Sequence, residues 1–243
     1  MPTYDIEKIK YATDPPTFQR AVELYEQSKI VDFTALADGF RATVLGTQPY
    51  RVVVSAKHFD HGSCECYLGR KDTLCKHLVA VAIMAAKNGQ PLEKPEITPV
   101  SAPTPSGKIG ELSEEDLAQT KQAVTAAMRH IKAYSGPSRT WFAYQGSLQE
   151  GCYRLSDIVS KLPISPQAAK LLVDILLRLD RKLMTGGVDD SDGTVGSFIE
   201  DTVIVLKHFV YLDPNCKSTL YRLTYRPTCF DWEVPLVELL NER

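Results

Sequence analysis

Three cysteines and a histidine fall within fourteen residues of this chain. Cys64-Glu65-Cys66 is followed, after eight intervening positions, by Cys75-Lys76-His77. Three thiolates and one imidazole complete the ligand set of a closed tetrahedral zinc site and leave no position open for water or substrate. A metal held this way contributes directly to folding, so a segment around it can fold on a small core. Each half of the motif is a pair separated by one residue, tighter than the common knuckle with two.

A disulfide framework is the competing reading of six cysteines. The opening Met1-Pro2-Thr3-Tyr4-Asp5 has neither a basic nor an apolar leader region, so no secretory signal is expected. A cytoplasmic, reducing setting favours metal at the cluster and free, buried thiols at the scattered Cys152, Cys216 and Cys229. The longest apolar run, Leu78 to Ala86, is far short of a membrane span, so no membrane partner is expected.

The pattern Cys-x-Cys, variable gap, Cys-x-His resembles the SWIM zinc finger, and Cys64, Cys66, Cys75 and His77 fill all four of its positions. The resemblance covers about residues 29–90. It implies a β-hairpin carrying the first pair, a helix start carrying the second, one structural Zn2+, and a module that binds DNA or protein partners. The ATPase and transposase cores found beside such modules have no counterpart here, so those activities do not carry over.

The periodicities predict an α+β chain. Phe18, Ala21, Val22 and Tyr25 recur at helical spacing within Thr17 to Ser28. Runs at 29–36, 40–46, 50–57 and 63–68 read as a β-meander, with much of both faces of 51–55 covered. From Thr73 the period becomes helical and Asn88-Gly89 supplies a stop, which puts Cys75 and His77 at the start of a helix. The positive end of the helix dipole there favours thiolate.

The proline-rich stretch at 91–111 reads as a linker between a zinc-binding domain at 1–90 and an α-helical bundle or helical-hairpin domain at 112–243. In the latter, Ser113 caps a helix expected to reach Tyr134, and a second spans 149–161. After Ser165-Pro166, a narrow polar stripe of Lys170, Asp174 and Arg178 on an otherwise apolar segment predicts a mostly buried helix. Residues 198–212, 216–226 and 234–240 read as further helices.

Charge constrains function. The net charge is −2; residues 1–90 carry 11 Lys and Arg against 10 Asp and Glu, and residues 91–243 carry 17 against 20. Neither part is a basic nucleic-acid domain by charge. Lys57, Arg70, Lys71 and Lys76 are the local residues for phosphate contacts if DNA is the partner. His58 and His61 read as loop histidines, with a contact supporting the ligands, an alternative ligand role or a phosphate contact as the alternatives. Arg139 with Trp141, Phe142 and Tyr144 reads chiefly as an aromatic core, with base stacking as the alternative.

The acidic loop Asp189-Asp190-Ser191-Asp192-Gly193 fails as an EF-hand. With Gly193 at the sixth position, the first and twelfth fall on Val188 and Ile199, which lack side-chain oxygens. No catalytic triad, phosphate loop or dinucleotide fingerprint stands out. The expectation is a non-enzyme that takes no small-molecule substrate, acting as a protein-interaction adaptor, with DNA binding as the alternative.

Overall fold

The computed structural model describes residues 1–138 and 141–241. It is a mixed α/β chain that divides into two compact units, Met1–Pro99 and Val100–Arg243. The boundary falls within the proline-rich stretch.

The first unit opens with α1 (Ile6–Tyr11), absent from the sequence reading because six residues are too few to display a helical period. Asp5 caps it, accepting from the Lys8 backbone N–H at 2.8 Å. Helix α2 (Pro15–Glu26) starts where Asp14 accepts from the Thr17 N–H at 3.0 Å and proline takes the first turn, which needs no donor there.

Four antiparallel strands follow in chain order: β1 (Ile30–Ala35), β2 (Gly39–Leu45), β3 (Pro49–Ser55) and β4 (Gly62–Cys64). Phe40, Ala42 and Val44 of β2 alternate inward, and Phe40 and Ala42 lie opposite the buried Val54 and Val52 of β3. Val53, between them, is half-buried, so β3 is sealed on one face rather than both.

Helix α3 (Lys76–Lys87) packs against β2, β3 and β4 and also against α1 and α2. That explains a helix whose residues from His77 to Ile83 are all buried. Asn88 ends it in the left-handed conformation, followed by Gly89, as the sequence led one to expect.

Strand β4 stops at Cys64 rather than running to Leu68. Beyond it the chain turns back through a 3-10 turn at Gly69–Lys71. Residues 90–111 are not free chain. A helical turn, α4 (Lys94–Ile97), closes with a Glu93–Glu96 capping box. Glu96 pairs with Lys87 at 2.9 Å, Lys10 donates to the Pro95 carbonyl at 2.8 Å and Tyr25 to that of Gln90 at 2.6 Å. Further on, the Thr104 N–H donates to Ser160 Oγ at 3.0 Å and Ser106 Oγ to the Leu162 carbonyl at 2.7 Å. Prolines lack donors, but the chain around them still docks.

The second unit is built from α5 (Glu114–Met128), α6 (Trp141–Lys161), α7 (Pro166–Met184), α8 (Thr194–Leu212), a 3-10 segment at Pro214–Leu223 and α9 (Val234–Val237). Helix α5 packs on α6, α6 on α8, and α8 on α7. The core gathers Leu148 and Leu155 of α6, Leu172, Ile175, Leu176 and Leu179 of α7, and Phe209 of α8.

Helix α8 begins at Thr194 rather than Phe198, the stretch expected as a helix at 216–226 is the 3-10 segment Pro214–Leu223, and 234–240 is α-helical only to Val237. Two helices differ more from the sequence reading. Helix α5 ends at Met128 rather than Tyr134, and α6 begins at Trp141 rather than Gln149. The glycines inside α6 obscured its period. Gly151 is there because α5 and the turn after it press close: a Cβ would lie 2.7 Å from Ile131 Cγ1 and 3.2 Å from the Ala127 carbonyl oxygen.

Candidate metal centre

Four side chains from three local structures converge. Cys64 ends β4, opposite Val52 in register. Cys66 sits in the turn after it, and its sulfur accepts from the Gly69 N–H at 3.3 Å. Cys75 is the N-cap of α3, and His77 is its second residue. All four are buried, and their ligand atoms lie within 4.8 Å of one another. Cys64 Sγ is 3.7 Å from His77 Nδ1, within the roughly 3.3–3.8 Å edge of a tetrahedron with ligand bonds of ~2.0–2.3 Å.

Among the described residues this is the one group of three or more Cys, His, Asp or Glu side chains placed to hold an ion. His77 Nε2 is buried without a hydrogen-bond partner, and its ring stacks at a tilt 4.7 Å from Tyr50. The Nδ1 edge therefore faces the sulfurs, and the donor set fits one soft or borderline metal ion.

The electrostatics point the same way. The Cys75 thiol is drawn far below its ordinary range by hydrogen bonding from Cys64, against the cost of burial, with help from His77 and the backbone N–H of Leu78. The Cys64 thiol is pushed up in step by its bond to Cys75 and by burial. A bound cation would displace the thiol protons of the cluster. The scattered thiols differ from Cys75. Burial pushes Cys216 up to about 11 and Cys229 up to about 12, with the carboxylates of Asp213 and Asp180 respectively adding to it, so both stay inert thiols. Cys152 is likewise raised by burial.

Gly69 escaped the sequence reading. The 3-10 turn lies so close over Cys64 that a Cβ on Gly69 would sit 2.3 Å from the Cys64 carbonyl oxygen and 2.5 Å from its Cβ. Backbone cannot yield by that much, so Gly69→Ala must lift the turn and Cys66 with it. We expect that variant to lower metal affinity at least about tenfold in a competitive chelator titration, because moving a ligand-supporting contact costs that much elsewhere. Unchanged affinity would show that the turn does not position Cys66.

The four basic residues do not form one patch. Lys57 lies in the β3–β4 turn, five residues past Val52, the partner of Cys64, and so at the far end of that hairpin. Arg70 and Lys71 sit on the 3-10 turn and Lys76 opens α3. Lys71 donates to Tyr67 OH at 2.6 Å and lies 4.3 Å over its ring. Glu65, between the first two ligands, is engaged by Arg51 at 2.8 Å, which lowers its carboxyl.

His58 and His61 are exposed, with ring centroids 5.0 Å apart, and belong to the same distant turn as Lys57. Arg139 lies outside the described residues. Of its aromatic neighbours, Tyr144 is buried and accepts from the Asp189 N–H at 2.9 Å, and Trp141 donates to Asp189 Oδ2 at 3.1 Å. Phe142 is exposed on α6, so the expected aromatic core does not include it. Asp190 accepts from the Val195 and Gly196 N–H groups at 2.7 and 2.8 Å. The Asp190 carboxylate serves the start of α8, whereas that of Asp189 holds Trp141 and Ser191.

Comparison with protein-family models finds no match, and comparisons with curated proteins and with solved structures likewise find none.

Proposed function

We propose that Cys64, Cys66, Cys75 and His77 hold one structural zinc ion in a SWIM-type finger, and that the chain is a non-enzymatic protein-interaction adaptor of the cytoplasm. The observation that carries the metal assignment is the buried convergence of the four ligand atoms within 4.8 Å. Three sulfurs with one nitrogen favour zinc over hard oxygen-seeking cations, and the full protein ligand set gives the ion a structural role. In this reading the finger-bearing unit is followed by a helical one that presents the partner-binding surface.

The rival reading is DNA binding through Lys57, Arg70, Lys71 and Lys76. Charge argues against it: the chain is net −2, Lys57 is separated from the other three, and Lys71 is already engaged with Tyr67. Retention of the purified chain on immobilised duplex DNA over a salt series separates the two. The adaptor reading expects little retention at low salt. A steep fall of substantial retention with salt would overturn it in favour of phosphate contact. The positive arm is cross-linking in cells followed by reconstitution of any recovered protein with the purified chain.

A further inference from the structure

Five of the basic side chains in the second unit surround one groove. Residues 100–243 carry 16 Lys and Arg against 18 Asp and Glu, so the unit as a whole is slightly acidic. Yet Lys121 of α5, Arg178 and Arg181 of α7, and Arg222 and Arg226 from the 3-10 segment and just beyond it line a concavity of about 380 Å³. Asp174 is the single carboxylate on its wall, and Arg222 takes it at 2.7 Å. Among the described residues, no ion pair engages Lys121, Arg178, Arg181 or Arg226. Like charges gathered around one hollow repel one another unless an anion lies among them. Guanidinium groups present planar forks that match oxyanions.

The floor decides which anion. Val124, Leu171 and Leu177 form it, and all three belong to the core of the unit. Phosphate contacts alone have no use for an apolar floor. A nucleic acid would also extend well past the groove. Glu114, Glu115 and Asp116 stand exposed in the first turn of α5, roughly 10 Å along that helix from Lys121, and would repel an extended polyanion. A compact segment that seats an apolar side chain on the floor and sets carboxylates against the rim meets neither obstacle.

We infer that this groove between α5, α7 and the 3-10 segment is the docking site for an acidic peptide segment of a protein partner, carrying at least one large apolar anchor residue. The inference rests on the adaptor reading and gives that adaptor its recognition chemistry.

The test uses the full, metal-loaded chain and fluorescence anisotropy with three labelled probes, all short enough to lie within the groove: a random glutamate–tyrosine oligopeptide copolymer, an oligoglutamate of the same length and a single-stranded dT oligomer. The copolymer presents anchors in every acidic context. It should bind saturably at low salt and about tenfold more tightly than oligoglutamate, as expected when one anchor side chain is seated. The double variant R178E/R181E should weaken copolymer binding at least about tenfold while its circular dichroism and denaturation midpoint stay at wild-type values. The single variant Arg226→Ala, on an exposed turn, should give a smaller loss of about threefold and guards against misfolding of the double variant.

No copolymer binding, equal binding of copolymer and oligoglutamate, or insensitivity to all these substitutions overturns the proposal. Binding of the dT oligomer that the same variants abolish assigns the groove to nucleic acid and also overturns it. If a reconstituted protein partner binds R178E/R181E as tightly as wild type, the groove is wrong and the adaptor reading stands. If no protein partner is recovered at all, the adaptor reading itself fails.

Discussion

Cys75→Ser and Cys64→Ser are expected to abolish stoichiometric zinc and to unfold the Met1–Pro99 unit. Elemental analysis of the purified wild-type chain should return about one zinc per chain, and either variant should return close to none. The energetic case is direct. Binding of a structural zinc in small finger domains is worth on the order of 10–16 kcal/mol, while a whole domain is stable by only ~5–15 kcal/mol. Losing the ion therefore removes as much free energy as the unit has.

The location sharpens this prediction. Cys64 and Cys75 lie at the junction of β4 with the start of α3, and α3 is the helix on which the sheet, α1 and α2 all pack. Releasing its N-terminus loosens the element against which the sheet, α1 and α2 are all packed. Removal of the metal by a strong chelator should reproduce the effect in the wild type, followed as loss of amide protection over residues 39–87. A wild-type chain that is fully folded without metal would refute the assignment of the ion as structural.

The second large effect is expected at Asp180, in the other unit. This α7 carboxylate is 4 % exposed. One of its oxygens accepts from the Cys229 backbone N–H at 2.8 Å and from Trp232 Nε1 at 3.1 Å. Cys229 to Trp232 includes two residues with positive φ, Phe230 and Asp231, so local backbone preference does not hold the segment in place. Asp180 does so from outside.

Asp180→Ala leaves two donors without an acceptor, one of them on a buried indole, at about 1–3 kcal/mol each. A total loss of about 2–6 kcal/mol is expected, read from the denaturant midpoint of the second unit. Asp180→Asn keeps an oxygen in the same place and should lose less than half as much. Equal losses for the two variants would mean that the carboxylate charge matters and the two hydrogen bonds do not.

How much of this could be read from the chain depends on how far apart in sequence the cause and the consequence lie. The ligand set was legible because metal chemistry restricts both residue type and spacing. Cys64 to His77 is one contiguous stretch whose local conformations, a strand end and a helix start, bring the donors together. Helix α7 was legible for a similar reason. Its polar stripe of Lys170, Asp174 and Arg178 repeats every four residues, and a helix interprets that period the same way wherever it packs.

The misreadings have the opposite character. Strand β4 was extended past Cys64 because Cys66-Tyr67-Leu68 suits a strand. What ends the strand is the close return of the chain at Gly69, and glycine's fitness for that approach is visible only from the other side of the contact. The start of α6 was missed because Gly146 and Gly151 weaken its helical signal, while the packing of α5 that makes Gly151 necessary is tertiary. The stretch around Pro91 to Pro105 looked free of structure because proline cannot donate. Its carbonyls can accept, and Lys10, 85 residues away from Pro95, supplies the donor.

By itself, then, the sequence determined the candidate ligand cluster, the amphipathic faces and the helix caps, since each is a matter of residue chemistry repeated at short spacing. Only the tertiary structure decided that Lys57 stands apart from Arg70, Lys71 and Lys76. It alone gathered Lys121, Arg178, Arg181, Arg222 and Arg226 into one groove within a unit whose charge sum is slightly negative. A charge sum is a scalar and has no position. Coulomb attraction falls with distance, so what a partner meets depends on which charges the fold has brought together.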